Sequence, residues 1–229
     1  RGNPVSGTAL LSTTIQTTFL LARLLESREL RERTGTSGSR VFAFTDNLDV
    51  TNRLFWDLRD AELGGRSGGK PLAQLRSEQD GEVAERDING QIWRLPTLLG
   101  RSLEPQGRLG VTRTSSQDAG VDLTSDVIVS TSSLEVGFDD PEVGAVVQHK
   151  APRDDASFLQ RKGRAGRLTG VRPWTVVVLS DYGRDRMRYQ AYESLFSPTL
   201  APRAIPVDNR HVLKMQAAYA LLDWLSERV

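Results

Sequence analysis

Four short apolar runs, interleaved with helical patterns, constrain the fold of this 229-residue chain more than any other feature. They read VFAFT, VIVST, VGAVVQ and WTVVVL, at residues 41–45, 127–131, 143–148 and 174–179. Near-continuous apolar runs of this length are typical of parallel strands that are covered on both faces. Strands that alternate with helices predict an α/β fold, in which a doubly wound and mainly parallel sheet is flanked by helices in three layers.

The helices are predicted from apolar residues that recur three and four positions apart. The first covers residues 12–30, a second and a third follow the strands at 41–45 and 143–148, and a C-terminal helix covers 211–228. Side-chain oxygens at a helix start accept hydrogen bonds from the free N–H groups of the first turn. The residues that fit this role are Ser12, Thr13 or Thr14 for the first helix, Asp46 or Asn47 for the second, and Asp154 or Asp155 for the third.

The length of the chain permits one large or two small domains, and the order of the elements favours one domain over residues 1–229. Residues 63–107 show poor periodicity, so they form either an insertion with short elements of its own or a stretch where part of the native chain is missing. Residues 185–229 form a helical C-terminal extension. Because the chain opens with arginine and turns almost at once into a helix, we expect it to be a piece of a longer polypeptide.

Composition excludes several classes of site. The net charge is +1, so any contact with nucleic acid must be local. With no cysteine the chain has no disulfide and no thiolate metal site, which suits the cytoplasm. His149 and His211 lack metal-ligand spacing, and we predict no metal site in the chain. No signal peptide or membrane span is visible, so no membrane partner is expected.

A cluster of arginines separated by glycines carries the clearest chemical signal. Residues 160–167 read QRKGRAGR, with Arg164 and Arg167 each preceded by glycine. Arginine keeps its charge and can pair through two N–H groups with phosphate oxygens. Glycine allows the tight turns and close backbone approach that a bound ligand requires. The pattern therefore predicts a surface that grips phosphate.

The run at 127–167 resembles motifs V and VI of the C-terminal RecA-like lobe of superfamily 2 helicases. QRKGRAGR fits QRxGRxGR, the motif VI of that family, and residues 130–139, STSSLEVGFD, resemble motif V. The strand and helix at 41–60 are similar to motif IV, and the likeness is weak elsewhere. Lys150 stands where many members of the family carry an acidic residue. The resemblance implies a RecA-like fold for the whole chain.

The resemblance also implies roles for particular residues. Arg164 and Arg167 are the candidate catalytic residues, arginine fingers that stabilise charge on the γ-phosphate of ATP, whereas Arg161 is expected to be an ordinary surface arginine at a helix end. The candidate ATP-binding residues are Gly137, Asp139 and Gln160. The candidate nucleic-acid-binding residues follow predicted strands, where open α/β sheets bind ligands. They are Thr131, Ser132, Arg113 and Thr114.

The sequence lacks the other parts of an ATPase site. Residues 64–70, GGRSGGK, fit the spacing of a phosphate-binding loop, but Pro71 replaces the serine or threonine that such a loop needs for magnesium. We therefore interpret it as a glycine-rich surface loop. ATP and Mg²⁺ are expected to be held mainly by an N-terminal RecA-like lobe of the same polypeptide, and this chain alone is expected to be inactive.

Two functions follow from the sequence. The first is the C-terminal motor lobe of an ATP-dependent helicase or translocase that supplies arginine fingers and grips a nucleic-acid backbone. The alternative is a non-catalytic RecA-like module that docks on nucleic acid or protein. SLEVGFD and the later LSDYGRDR look more similar to large bacterial DNA helicases, including those of phage-defence systems such as DISARM, than to RNA-remodelling enzymes. This likeness favours DNA over RNA as the partner.

Overall fold

A five-stranded parallel sheet forms the centre of the computed structural model of this chain. The strands are β1 (Arg40–Phe44), β2 (Val111–Thr114), β3 (Val127–Ser130), β4 (Val143–His149) and β5 (Trp174–Val178), in the order β2-β3-β1-β4-β5. Every residue of the three central strands is buried, which explains why their sequences are almost continuously apolar. The predicted fold class, a parallel sheet flanked by helices, is confirmed.

The structure describes residues 7–26, 32–35, 38–64, 71, 93, 108–115, 120–134, 138–196, 200 and 208–228. The helices are α1 (Gly7–Glu26), α2 (Leu48–Leu63), α3 (Asp155–Lys162), α4 (Gly183–Gln190), α5 (Glu193–Phe196) and α6 (Arg210–Ser226), with a short 3₁₀ turn at Ser132–Leu134. Two compact units are present, Arg1–Pro198 and Thr199–Val229. Within the described residues, no helix has the length and apolar character needed to cross a bilayer.

The two faces of the sheet are covered differently. Alternate side chains of β1 point to opposite faces, as the twofold repeat of a strand requires. Val41 and Ala43 join a core that includes the apolar residues of α1 and α2. Phe42 and Phe44 join a second core on the other face with Leu134 and Ala165. Residues near the candidate motifs therefore pack directly against the central strand.

The structure decides between the alternative helix starts. Asn47 caps α2 by accepting from the N–H of Asp49 at 2.8 Å, and Asp154 caps α3 by accepting from the N–H of Ser157 at 2.9 Å. The predicted caps of α1 are wrong, because that helix already begins at Gly7. Thr14 lies inside it and donates its hydroxyl to the carbonyl oxygen of Leu10, four residues back.

A buried ion pair ties α1 to α2. Arg23 donates to Glu62 at 2.5 Å, and both side chains are almost wholly buried. The second carboxylate oxygen of Glu62 accepts from the backbone N–H of Leu109 at 3.2 Å. Burial raises the pKa of the Glu62 carboxyl, while the Arg23 charge opposes that rise. The pair thus fixes the two helices that lie on one face of the sheet.

Two tryptophans lie at the periphery of the structure, and most of one predicted segment lies outside the described residues. Trp174 and Trp224 are 42% and 48% exposed, since Trp174 opens an edge strand and α6 has no buried residue. In residues 63–107 the structure describes only 63–64, 71 and 93, so an insertion there stays a prediction, as does the C-terminal extension. Trp93 itself is buried and donates to Ser12 Oγ at 3.0 Å.

His149, at the end of β4, is buried against α1. Its Nδ1 lies 2.8 Å from Thr14 Oγ1. Because the Thr14 hydroxyl donates to Leu10, the histidine Nδ1–H is the donor in this contact. Burial, with the positive charge of Lys150 as the next cause, lowers the pKa of His149 from 6.5 to about 4. The folded protein therefore keeps this imidazole neutral where an unfolded chain would protonate it.

We predict that His149 makes the fold less stable in acid. The neutral, buried imidazole contributes fully to the free energy of unfolding above about pH 6.5. This contribution is lost as the pH falls to about 4, because the unfolded state then binds a proton that the folded state does not bind. The full loss is about 3 kcal/mol. His149→Asn keeps an N–H donor without a titrating ring. Denaturant unfolding across this pH range should show a shallower loss for the variant, and His211→Asn, at an exposed position, serves as the control. Equal pH slopes for wild type and His149→Asn would contradict this account.

Candidate functional site

The candidate residues lie at two opposite ends of the sheet. Thr114, Ser130 and Thr131 are at the carboxyl ends of β2 and β3, whereas Phe138 and Asp139 lie in the segment that leads into the start of β4. Because the strands are parallel, the first group lies at the carboxyl ends of the strands and the second group lies at their amino ends. The structure therefore separates them into two groups. We call the hydroxyl residues at the carboxyl ends of β2 and β3 the strand-end rim, and the second group, near the start of β4, belongs to an arginine cluster.

α3 positions the arginine cluster. Its inner side buries Phe158 and Arg161, three residues apart, which is the spacing of one helix face. Arg161 donates to Asp46 Oδ1 at 2.5 Å and to Gln148 Oε1 at 2.7 Å, and its guanidinium lies 5.4 Å from the ring centre of Phe44. Arg161 was predicted to be a surface arginine. That prediction is wrong, because the side chain is only 4% exposed and joins α3 to β1 and β4.

A tight turn after α3 brings the chain back to the start of β4. The N–H of Gly166 donates to the carbonyl oxygen of Val143 at 3.1 Å. Gly166 has a φ of 72°, and a Cβ there would lie 2.4 Å from the side chain of Pro173, so only glycine fits. Arg164 and Arg167 flank this fixed point, and their backbone positions are therefore set by the sheet.

Asp139, Arg164 and Arg167 come together at this turn, and we call them the arginine cluster. Arg164 is half-buried and donates to the carbonyl oxygen of Phe138. Arg167 lies 3.2 Å from Asp139 Oδ1, with 36% of the arginine side chain and 70% of the aspartate side chain exposed. Both arginines were expected at the surface, and Arg167 is the more exposed of the two. The contact with Phe138 covers part of Arg164.

Gln160 and Gly137 complete the predicted ATP-binding set. Gln160 is exposed near the end of α3, four residues before Arg164. Gly137 lies outside the described residues. Among the described residues, no group of three or more acidic or histidine side chains is arranged to hold a metal ion, so we assign no Mg²⁺ ligand to this chain. The cluster offers two guanidinium groups and one open carboxylate, a set that suits a nucleotide phosphate and a sugar hydroxyl.

The strand-end rim is a network of hydroxyl groups. Ser130 Oγ lies 3.0 Å from Ser133 Oγ, and Ser133 in turn donates to the carbonyl oxygen of Thr114 at 3.4 Å. Thr131 is half-exposed and Ser132 is exposed, so both can reach a ligand. These contacts join the ends of β2 and β3 into one edge.

Arg113 and Thr114 are oriented differently from the sequence expectation of an open groove. Arg113 donates to Asn52 Oδ1 at 2.6 Å and lies over the ring of Phe55, so its guanidinium is held against α2. Thr114 is buried, and its hydroxyl donates to the carbonyl oxygen of Gly120 at 3.2 Å. Their role in binding nucleic acid stays a prediction, which now requires Arg113 to leave Asn52.

A family comparison matches the part of the chain that contains both sites. Residues 111–169 match the family model of the helicase conserved C-terminal domain. The match starts at β2 and ends two residues after Arg167, so it includes the rim and the arginine cluster, but it covers only about a quarter of the chain. A search of the curated proteins finds no match.

Solved helicase structures show a weak likeness to this chain. S. cerevisiae Dbp5 bound to RNA and ADP BeF3 is 16% identical with a TM-score of 0.43, over 86% of this chain and 40% of that one. E. coli DEAD-box protein SrmB is 19% identical with a TM-score of 0.39, over 84% and 85%. Mycobacterium smegmatis helicase Lhr is 21% identical with a TM-score of 0.36, over 65% and 15%. The chain spans half or less of the length of the first solved helicases it matches.

We predict that Arg161 is required for the fold. Arg161→Met leaves Asp46 as a nearly buried charge without its partner, which should lower the free energy of unfolding by about 3–5 kcal/mol. Lys162→Met, at the adjacent and more exposed position, should change it by less than about 0.5 kcal/mol. Denaturant unfolding measures both. Similar effects from the two substitutions would show that the Arg161 contacts contribute nothing.

Proposed function

We propose that this chain is the C-terminal lobe of an ATP-dependent helicase or translocase. The observation that carries the proposal is the arginine cluster, in which Asp139, Arg164 and Arg167 meet beside the first residue of β4. The cluster falls within the residues that match the helicase C-terminal domain. The contacts and the family match are two independent lines of evidence, and they concern the same side chains.

Arg164 and Arg167 act in this proposal as arginine fingers toward ATP that a second lobe holds. A guanidinium next to the transferred phosphoryl group stabilises the charge that develops there, and such a residue contributes roughly three to five decades in rate. Arg167 already faces solvent, and its ion pair with Asp139 is exposed and therefore weak. A triphosphate can replace that carboxylate with little loss, which frees Asp139 to accept from a ribose hydroxyl.

The nucleotide itself must be held elsewhere. ATP hydrolysis requires a phosphate-binding loop, a metal and an oriented water. In this sequence the only fit to such a loop, residues 64–70, is followed by Pro71. The lobe that binds ATP and Mg²⁺ is therefore proposed to be an N-terminal RecA-like lobe of the same polypeptide.

Nucleic acid is proposed to bind at the strand-end rim. Thr131 and Ser132 present hydroxyl groups at the carboxyl end of β3, which is where open parallel sheets bind ligands. Hydroxyl and N–H groups there suit contacts to phosphates that read no sequence. We propose DNA as the partner and a phage-defence helicase as the origin, on the sequence likeness alone. The proposed preference for DNA is tested by letting DNA and RNA strands of equal length compete for binding to the chain.

We predict that the isolated chain has no ATPase activity, with or without nucleic acid, because it lacks the groups that hold the triphosphate. A coupled phosphate-release assay on the purified 229-residue chain measures this. Turnover above background that disappears in Lys70→Ala would overturn the proposal, since it would assign the phosphate-binding loop to residues 64–70.

In the protein that joins this chain to its nucleotide-binding lobe, Arg164→Ala or Arg167→Ala should lower kcat by about a thousandfold. The melting temperature should stay within about 2 °C, because neither side chain is fully buried. Arg53→Ala, an exposed arginine on α2, is the control. Lysine should not restore kcat, since an ammonium lacks the planar fork. Wild-type kcat in a variant with wild-type melting would remove that arginine from the catalytic set and favour the docking-module alternative.

A further inference from the structure

α4 carries an exposed aromatic and cationic stripe that the proposed function does not use. Arg186 and Tyr189 are three residues apart on one side of the helix, and Tyr182 is the extended residue that immediately precedes α4. Tyr182 is 72% exposed and Tyr189 is 69% exposed. Two nearly bare aromatic rings on either side of a guanidinium are uncommon on a surface that serves only to face water.

Side chains other than the stripe residues hold α4 in place. Asp185 is buried and accepts from the N–H groups of Ala151 and Ser180, each at 2.9 Å. Arg184 donates to the carbonyl oxygen of Ala151 at 2.8 Å, and Arg188 pairs with Asp155 at 2.8 Å. Since these contacts anchor the helix, its orientation does not depend on either tyrosine. The stripe is a fixed feature rather than a loose packing surface.

The stripe lies at the same edge of the sheet as the strand-end rim. α4 follows the carboxyl end of β5, and the loop after β4 is hydrogen-bonded to its first turn through Ala151. That loop adds two exposed cations, Lys150 and Arg153. Nucleic acid on the rim at β3 would pass β1 and β4 before it reached β5, so the stripe extends the same edge.

The acidic side chains of this region do not neutralise all of its positive charges. Asp185 is buried, and Asp155 is paired with Arg188. Asp154 is used as the cap of α3. Asp181 lies 3.8 Å from Arg186, with side-chain exposures of 63% and 60%, and exposed pairs of this kind hold weakly. A phosphate group can therefore displace Asp181 from Arg186.

We propose that Tyr182, Arg186 and Tyr189 form a second contact surface, on which bases of single-stranded nucleic acid stack. This inference rests on the proposed nucleic-acid function and extends it beyond the rim. Tyrosine rings accept any base by stacking, and arginine can stack on a base or pair with its phosphate. The two tyrosines are seven residues apart in the chain, so each ring can take a separate base.

The physical signature of this surface is stacking with few charge contacts. A protein–phosphate contact to a single strand contributes a slope of about −0.7 to log K against log salt, whereas stacking contributes none. Loss of the two rings should therefore weaken binding at every salt concentration without changing the slope. Loss of the Arg186 charge should weaken binding less and make the slope shallower by up to about 0.7.

The test uses the full 229-residue chain and fluorescein-labelled dT or U strands of about 20 nucleotides, in anisotropy titrations between about 50 and about 200 mM salt. Tyr182→Ala/Tyr189→Ala should weaken binding at least about tenfold at unchanged salt slope. Tyr182→Trp/Tyr189→Trp should keep or improve it. Two controls should bind like wild type, Met187→Ala on the same helix, where Met187 is 70% exposed, and Tyr219→Ala on α6, where Tyr219 is 65% exposed.

Each outcome decides the proposal. Selective loss in the alanine pair, with recovery in the tryptophan pair, supports base stacking on α4. Unchanged binding in the alanine pair overturns the stripe and leaves the proposed function intact, because the rim then accounts for all affinity. A wild-type chain that binds neither strand overturns both. Equal loss in Met187→Ala also overturns stacking, since methionine has no ring.

Discussion

The buried guanidinium of Arg161 joins α3, which leads into the arginine cluster, to the carboxyl ends of β1 and β4. It bonds Asp46, just beyond the end of β1, and Gln148, near the end of β4, while it belongs to the helix whose next turn carries Arg164 and Arg167. A charge at this depth is tolerated only because carboxylate, amide and aromatic partners surround it. One side chain therefore fixes the carboxyl edge of the sheet relative to the arginine cluster.

This arrangement places the two candidate sites at opposite ends of one packed sheet. The rim lies at one end of the strands and the arginine cluster at the other, and the fully buried strands β1, β3 and β4 connect them. Packed interiors transmit displacement because they have little free volume. We infer that a shift of α3 toward a nucleotide would displace Asp46 and Gln148. Both lie at the carboxyl ends of the strands, where nucleic acid is proposed to bind.

Much of the fold could be predicted from the sequence because burial on both faces leaves a direct record in apolar runs. Four of the five strands begin and end within one residue of the predicted runs, and the caps at Asn47 and Asp154 were among the expected residues. Arg161 was misjudged because its charge suggested the surface, although its spacing from Phe158 already indicated an inner position.

The orientation of side chains at the sites could not be predicted, because it depends on partners far away in sequence. Arg113 turns toward Asn52, on a helix that precedes it by about sixty residues, and Arg167 meets Asp139 across the whole of β4 and α3. The stripe on α4 was invisible for a related reason. Its significance comes from the contacts of Asp185, which show that a side chain other than the tyrosines anchors the helix.

The central claim is that the arginine cluster faces a nucleotide held by another lobe. Hydrogen–deuterium exchange on the protein that joins both lobes, with and without a non-hydrolysable ATP analogue, tests it most directly. The account predicts slower exchange at the backbone amides of residues 163–167 and at 138–139 when the analogue is bound. No change at these amides, in a sample whose nucleotide-binding lobe is protected, would contradict it.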